Sequence, residues 1–185
     1  ITRLILFGET MKVAKRASTT IGDLRKSNYQ VVSVREELRR NLIQQMKSGQ
    51  DMFPGIIGFG NTVIPPLQNA ILAGQDVILL GERGQAKSRL IRGLVSLLDE
   101  SVPVIEGCEI NDSPYSPICL SCRNKVARHK DNVRIAWRSR EERYSEKLAT
   151  PDISIADLIG EVDPIRVAEG RYLSDELTIH YGLIP

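Results

Sequence analysis

Asp76-Val77-Ile78-Leu79-Leu80-Gly81-Glu82-Arg83-Gly84-Gln85-Ala86-Lys87-Ser88 is the stretch on which the fold turns. Its first five residues form a short apolar run, partly β-branched, between Gly74 and Gly81, the pattern of a strand buried on both faces. The next eight form a glycine-bearing loop ending in Lys-Ser, and Leu90, Ile91, Leu94, Val95, Leu97 and Leu98 then recur at helical spacing. Strand, glycine loop, Lys-Ser and helix in that order are what a phosphate-binding loop needs, because backbone N–H groups must converge on phosphate oxygens at a helix start. Gly81 allows the sharp exit from the strand and Gly84 the inward curl. Lys87 offers a point charge to the β- and γ-phosphates, and Ser88 a hydroxyl to Mg²⁺. Ala86 replaces the last glycine of the G-x-x-x-x-G-K-[ST] pattern, which an alanine tolerates if its φ is negative. The competing reading is a chance glycine turn.

Upstream, Val34, Leu38, Leu42 and Met46 recur every four residues, with Ser33 as N-cap, Glu36 completing a capping box and Gly49 ending the helix. Phe53-Pro54-Gly55 is a turn, and a second helix spans Ile64–Ala73, with Pro65 and Pro66 in its first turn and Gly74 closing it. Downstream, Pro103–Ile105 and Val133–Trp137 read as strands around a polar, cysteine-bearing excursion at 107–133. Arg138–Lys147 is strongly charged, and Ile153–Ile159 and Ile165–Ala168 are short helices or turns. Helix, strand, glycine loop and helix open an α/β domain with a parallel sheet flanked by helices.

The 185 residues suit one domain, with 42% hydrophobic and 26% charged residues in the ordinary globular range. The net charge of +2 is too small to argue for a nucleic-acid partner, although residues 1–50 hold ten Lys/Arg against four Asp/Glu. Residues 1–30 read as a mobile basic arm, and 31–185 as the domain. No apolar run reaches the ~18 residues of a spanning helix, so membrane insertion is not expected. Three cysteines make no disulfide framework, which points to a reducing cytoplasm. Both ends read as cut: Met11 makes a plausible native start after residues 1–10, and the last residues, Leu183-Ile184-Pro185, follow an ordered-looking segment directly.

Cys108, Cys119, Cys122 and His129 are spaced C-x10-C-x2-C-x6-H, a set able to close a tetrahedral structural Zn²⁺ site. Asp112 or water is the alternative fourth ligand, and three reduced, partly buried cysteines with a solvent-facing histidine are the bland reading.

Phe53-Pro54-Gly55-Ile56-Ile57-Gly58, the following helix, Asp76–Leu80 and Gly81–Ser88 together resemble the N-terminal part of an AAA+ ATPase, in the branch of the magnesium-chelatase ATPase subunit and its MoxR-type relatives. Ala149-Thr150-Pro151-Asp152 through Leu158-Ile159-Gly160-Glu161-Val162-Asp163, and His180–Pro185 as the lead-in to a Walker B strand, are similar to later segments of that branch. The resemblance implies ATP and Mg²⁺ held by Glu82, Arg83, Gly84, Gln85, Ala86, Lys87, Ser88 and Arg89, with Ile57 and Gly58 on the adenine side. It also implies a homo-hexameric ring that hydrolyses ATP to remodel a protein client, such as a von Willebrand A-type or chelatase subunit. The Walker B acids, sensor and arginine finger have no counterpart in the chain, so no catalytic residue is assignable and the fragment alone is expected to be inactive. The alternatives are a zinc-stapled, nucleotide-sensing scaffold without turnover and a small P-loop kinase.

Overall fold

The computed structural model describes residues 18–170 and 176–185. In chain order the helices and strands are α1 (Ile21–Lys26), α2 (Val34–Ser48), α3 (Ile64–Leu72), α4 (Lys87–Gly93), β1 (Ser101–Ile105), α5 (Leu120–His129), β2 (Ile135–Ser139), α6 (Ile155–Ile159), β3 (Gly160–Val162), α7 (Pro164–Ala168) and β4 (Ile179–Tyr181). They divide into two units, each with its own core. The first takes the described residues up to Val31, Pro103–Arg138 and those of Ser145–Pro185; the second takes Val32–Val102 and Ser139–Tyr144. Among the described residues no helix is long and apolar enough to cross a membrane.

The second unit is built on α2, α3 and α4 around Leu42, Met52, Phe53, Leu67, Ile71, Leu90 and Leu97. Ser33 caps α2 by accepting from the Glu36 N–H at 3.2 Å, and Gly49 ends it in the left-handed conformation at φ +70°. Of the apolar stripe read on this helix, Leu42 is buried and Leu38 half-buried, but Val34 and Met46 are exposed. The reason is geometric: a spacing of four advances about 40° beyond a full turn each time, so the ends of the stripe rotate out of the core. Glu37 rotates in, and its carboxylate receives both Arg143 guanidinium nitrogens, at 2.7 and 2.6 Å.

Residues 76–80, read as a buried strand, belong to no strand among the described residues. Leu79 packs against the second core, while Ile78 and Leu80 stand 84% and 90% exposed. A strand exists only through the partners that take its backbone groups, and this unit supplies helices there.

There are two small sheets, β1–β2 and β3–β4, the second of them wholly within the first unit. Backbone bonds from Glu106 N to Arg134 O and from Arg140 N to Glu100 O flank the first pair and make it antiparallel. The second is antiparallel in the register Gly160↔Tyr181, Glu161↔His180 and Val162↔Ile179. The core gathers Ile21, Leu24, Ile105, Cys119, Cys122, Val133 and Ile135.

Two sequence expectations change here. Residues 1–17 lie outside the described residues, but from Ser18 the segment read as an arm is packed: Ile21 and Leu24 are fully buried. Ile21 N donates to Val133 O and Ile135 N to Thr19 O, both at 3.0 Å. The polar excursion at 107–133 contains α5 and feeds Cys119 and Cys122 into the core. Cys119, Cys122 and Val126 follow helical spacing, a signal visible only if cysteine is counted as apolar.

Candidate functional site

The loop Gly81–Ser88 ends on α4, which Leu90 anchors in the second core. Gly84 sits at φ +84° with open space where a Cβ would be, so a glycine turns the loop without strain. Ala86 also lies in the left-handed region, at φ +52° and ψ +17°. This corrects the expectation of a negative φ: the alanine stands where the motif's glycine is conformationally useful.

Lys87 is half-buried and its Nζ turns back into the loop, donating to Gly81 O at 2.8 Å and also to Glu82 O. Glu82 N donates to the Gln85 side-chain oxygen at 3.1 Å. The loop thus satisfies its own cation and one of its amide donors. A polyphosphate would offer the ammonium a better partner than two neutral carbonyls. Glu82, Arg83, Gln85, Ser88 and Arg89 are exposed around it.

The turn that carries Ile57 and Gly58 is fastened to the same helix. A Cβ on Gly93 would lie 2.7 Å from the Phe53 ring, and one on Gly55 would lie 2.9 Å from the Arg89 guanidinium. Phe53 therefore lies on the C-terminal end of α4 and Arg89 reaches the turn itself. Ile57 stands 93% exposed beyond it, and Gly58 adopts φ +90°.

The first unit holds a separate cluster. Cys108, Asp112, Cys119 and Cys122 present ligand atoms that all lie within 4.8 Å of one another. His129 is not among them. It ends α5, seven residues beyond Cys122, and is exposed. Two helical turns carry it about 10 Å along the axis, out of reach of one ion. Asp112, the alternative fourth ligand, takes the place read for His129.

Three of the four ligand groups are held by backbone N–H donors. Cys119 is the N-cap of α5 and its sulfur accepts from Cys122 N at 3.3 Å; Asp112 N donates to the Cys108 sulfur at 3.4 Å. The Asp112 carboxylate receives Ile118 N and Cys119 N at 2.9 Å. Burial pushes the Cys119 and Cys122 thiols up from their ordinary range, so without a cation both are protonated at neutral pH.

A pocket of about 320 Å³ opens against the cluster, lined by Cys108, Cys119 and Cys122 together with Arg166, Glu176 and Tyr181. Arg166 is held there by Glu109 at 2.8 Å and Asp163 at 3.3 Å.

The later segments quoted for the resemblance meet in this unit. Gly160 and Gly182 face each other so closely that a Cβ on Gly160 would lie 2.3 Å from His180 O, and one on Gly182 would lie 2.7 Å from Gly160 N.

No family model and no solved structure matches the chain. One 52-residue stretch, 28% of the chain, is 40% identical to a magnesium-chelatase subunit ChlI homolog of Methanocaldococcus jannaschii. That stretch spans 14% of the relative's length, so the similarity is to part of a subunit.

Proposed function

We propose that the second unit binds ATP through Gly81–Ser88, as the nucleotide-binding part of an AAA+ ATPase of the magnesium-chelatase kind. The observation that carries the reading is the loop itself: a glycine-turned segment ending on an anchored helix, with the Lys87 ammonium already drawn into its mouth. The partial likeness to a magnesium-chelatase subunit homolog supports it.

On this reading Lys87 leaves its carbonyls for the β- and γ-phosphates, and the loop N–H groups, including the one Gln85 now occupies, take phosphate oxygens. The donor set fits the group, with an ammonium, a hydroxyl and a glycine-opened loop side by side. Mg²⁺, when bound through Ser88, neutralises phosphate charge. Ile57 and Gly58, in the turn tied to α4, flank the base. Neighbouring strands of a parallel sheet would cover Ile78 and Leu80. The complete protein would hydrolyse ATP as a hexameric ring and remodel a protein partner.

One observation favours a second reading, nucleotide sensing without turnover: Ala86 at φ +52° strains the loop at the position where a glycine is the usual residue.

The experiment is calorimetric titration of the chain with Mg-ATP. Lys87→Ala should weaken binding by about 2–3 kcal/mol through loss of a charge-assisted contact. Equal affinity in wild type and variant overturns the assignment. Because Lys87 also ties the start of α4 to the Gly81 and Glu82 carbonyls, circular dichroism of the variant must first show an intact fold.

A further inference from the structure

We propose that Cys108, Asp112, Cys119 and Cys122 bind one Zn²⁺, as a structural site of the first unit independent of nucleotide.

The spacing approaches that of a small tetrahedron. With Zn–S near 2.3 Å, sulfurs on one ion stand about 3.8 Å apart. The Cys108 and Cys119 sulfurs are 3.9 Å apart, and all four ligand atoms fall within 4.8 Å. An ion would draw the widest-spaced ligand atoms in by about 1 Å. The ligands come from three places: the turn after β1, the loop at Asp112, and the cap and first turn of α5. One ion would join all three.

Packing of reduced thiols explains burial but not the rest of the arrangement. Two backbone N–H groups point at sulfur, Asp112 N at Cys108 and Cys122 N at Cys119. A neutral thiol is a poor acceptor, whereas a metal-bound thiolate is oriented and stabilised by such donors.

Asp112 supplies the second argument. It is 3% exposed, and among the described residues no Lys, Arg or His pairs with it. An acidic side chain buried beside three sulfurs with no basic partner is the setting in which such groups coordinate metals. The Ile118 and Cys119 amides fix its orientation, as hydrogen bonds to a ligating carboxylate do, and leave lone pairs for the ion.

Three sulfurs and one oxygen select a borderline-soft ion of tetrahedral habit, which is Zn²⁺. Four protein ligands close the coordination sphere, so the site is structural rather than catalytic. The adjoining pocket, which the three cysteines line, gives the ion its way in.

The test uses the whole 185-residue chain, reduced and purified without chelator. Elemental analysis should find about one zinc per chain. Chain stripped at low pH and titrated with Co²⁺ should develop thiolate-to-cobalt absorption that saturates at one equivalent. Zinc below about one-tenth of an equivalent, together with no such absorption, overturns the site.

Cys119→Ser is the informative variant, since serine keeps an N-cap acceptor for Cys122 N while removing a soft ligand. It should lower Co²⁺ affinity by about tenfold or more and weaken the sulfur absorption, with the helical signal retained. Asp112→Asn should lower affinity and leave the sulfur absorption, and His129→Ala should change neither. Wild-type Co²⁺ binding by Cys119→Ser, or loss of binding in His129→Ala, overturns the four-residue set.

Discussion

Ala86 sits at φ +52°, where an L-residue crowds its own carbonyl oxygen and a glycine does not. The strain makes a prediction whose sign is informative. At a helix-compatible φ, glycine for alanine costs up to about 1 kcal/mol in backbone entropy. At the observed φ, Ala86→Gly should instead stabilise the second unit by about 1 kcal/mol. A urea melt decides it: the midpoint should rise, and a fall would place Ala86 at negative φ. Lys87, beside it, shows why one residue can serve two states. Its ammonium closes the loop on Gly81 and Glu82 and, on the proposed reading, exchanges those carbonyls for phosphate.

The elements differ in how far the sequence announced them. The α2 and α3 helices carried their punctuation openly, with Ser33 and Gly49 at the ends of one and Pro65 and Pro66 opening the other. β1 and β2 were legible from Pro103–Ile105 and Val133–Trp137, extended or shifted by two residues. Less legible was whatever depended on partners distant in sequence. Ile21 and Leu24 are core residues because Val133 and Ile135 receive the chain beside them, and no local periodicity marks two residues in one short helix. Of the candidate site, the cysteines and the Lys-Ser loop could be read directly, while the choice of Asp112 over His129 needed the fold. The β3–β4 hairpin is the clearest case of backbone approach dictating residue type. Gly160 has φ +115° and leaves 2.3 Å between its missing Cβ and His180 O. No rotamer relieves a clash with a carbonyl, so Gly160→Ala should open the hairpin. Hydrogen exchange at Asp163 and Gly182, whose amides donate across the pair to Thr178 O and Ile159 O, should then rise well above wild type, and unchanged protection would show that the close approach is not needed.

At the scale of the whole molecule, the chain leaves the second unit after β1 begins and re-enters it at Ser139–Tyr144. The grip on that returning segment is ionic. Arg143 meets Glu37 through two parallel bonds of 2.7 and 2.6 Å, and the same carboxylate accepts Asp99 N at 2.5 Å. Asp99 in turn takes Arg40 at 2.7 Å and Asn41 at 2.9 Å; although burial pushes its carboxyl up, these two hydrogen bonds hold it below the ordinary range. Glu37 is 2% exposed, and the Arg143 side chain 15%. A pair this buried contributes little net stability while whole, because desolvation offsets its attraction. Breaking it is another matter, since the buried guanidinium then loses a two-bond, charge-assisted partner. Glu37→Gln keeps the shape and removes the charge that both Arg143 nitrogens meet, and should cost about 1–3 kcal/mol. Glu37→Gln combined with Arg143→Met removes both charges and should recover most of that loss. Chemical denaturation of the single and double variants measures both quantities. A single variant as stable as wild type would mean that residues 139–144 are not held by this pair, and a double variant no better than the single would assign the loss to packing rather than to the broken charge pair.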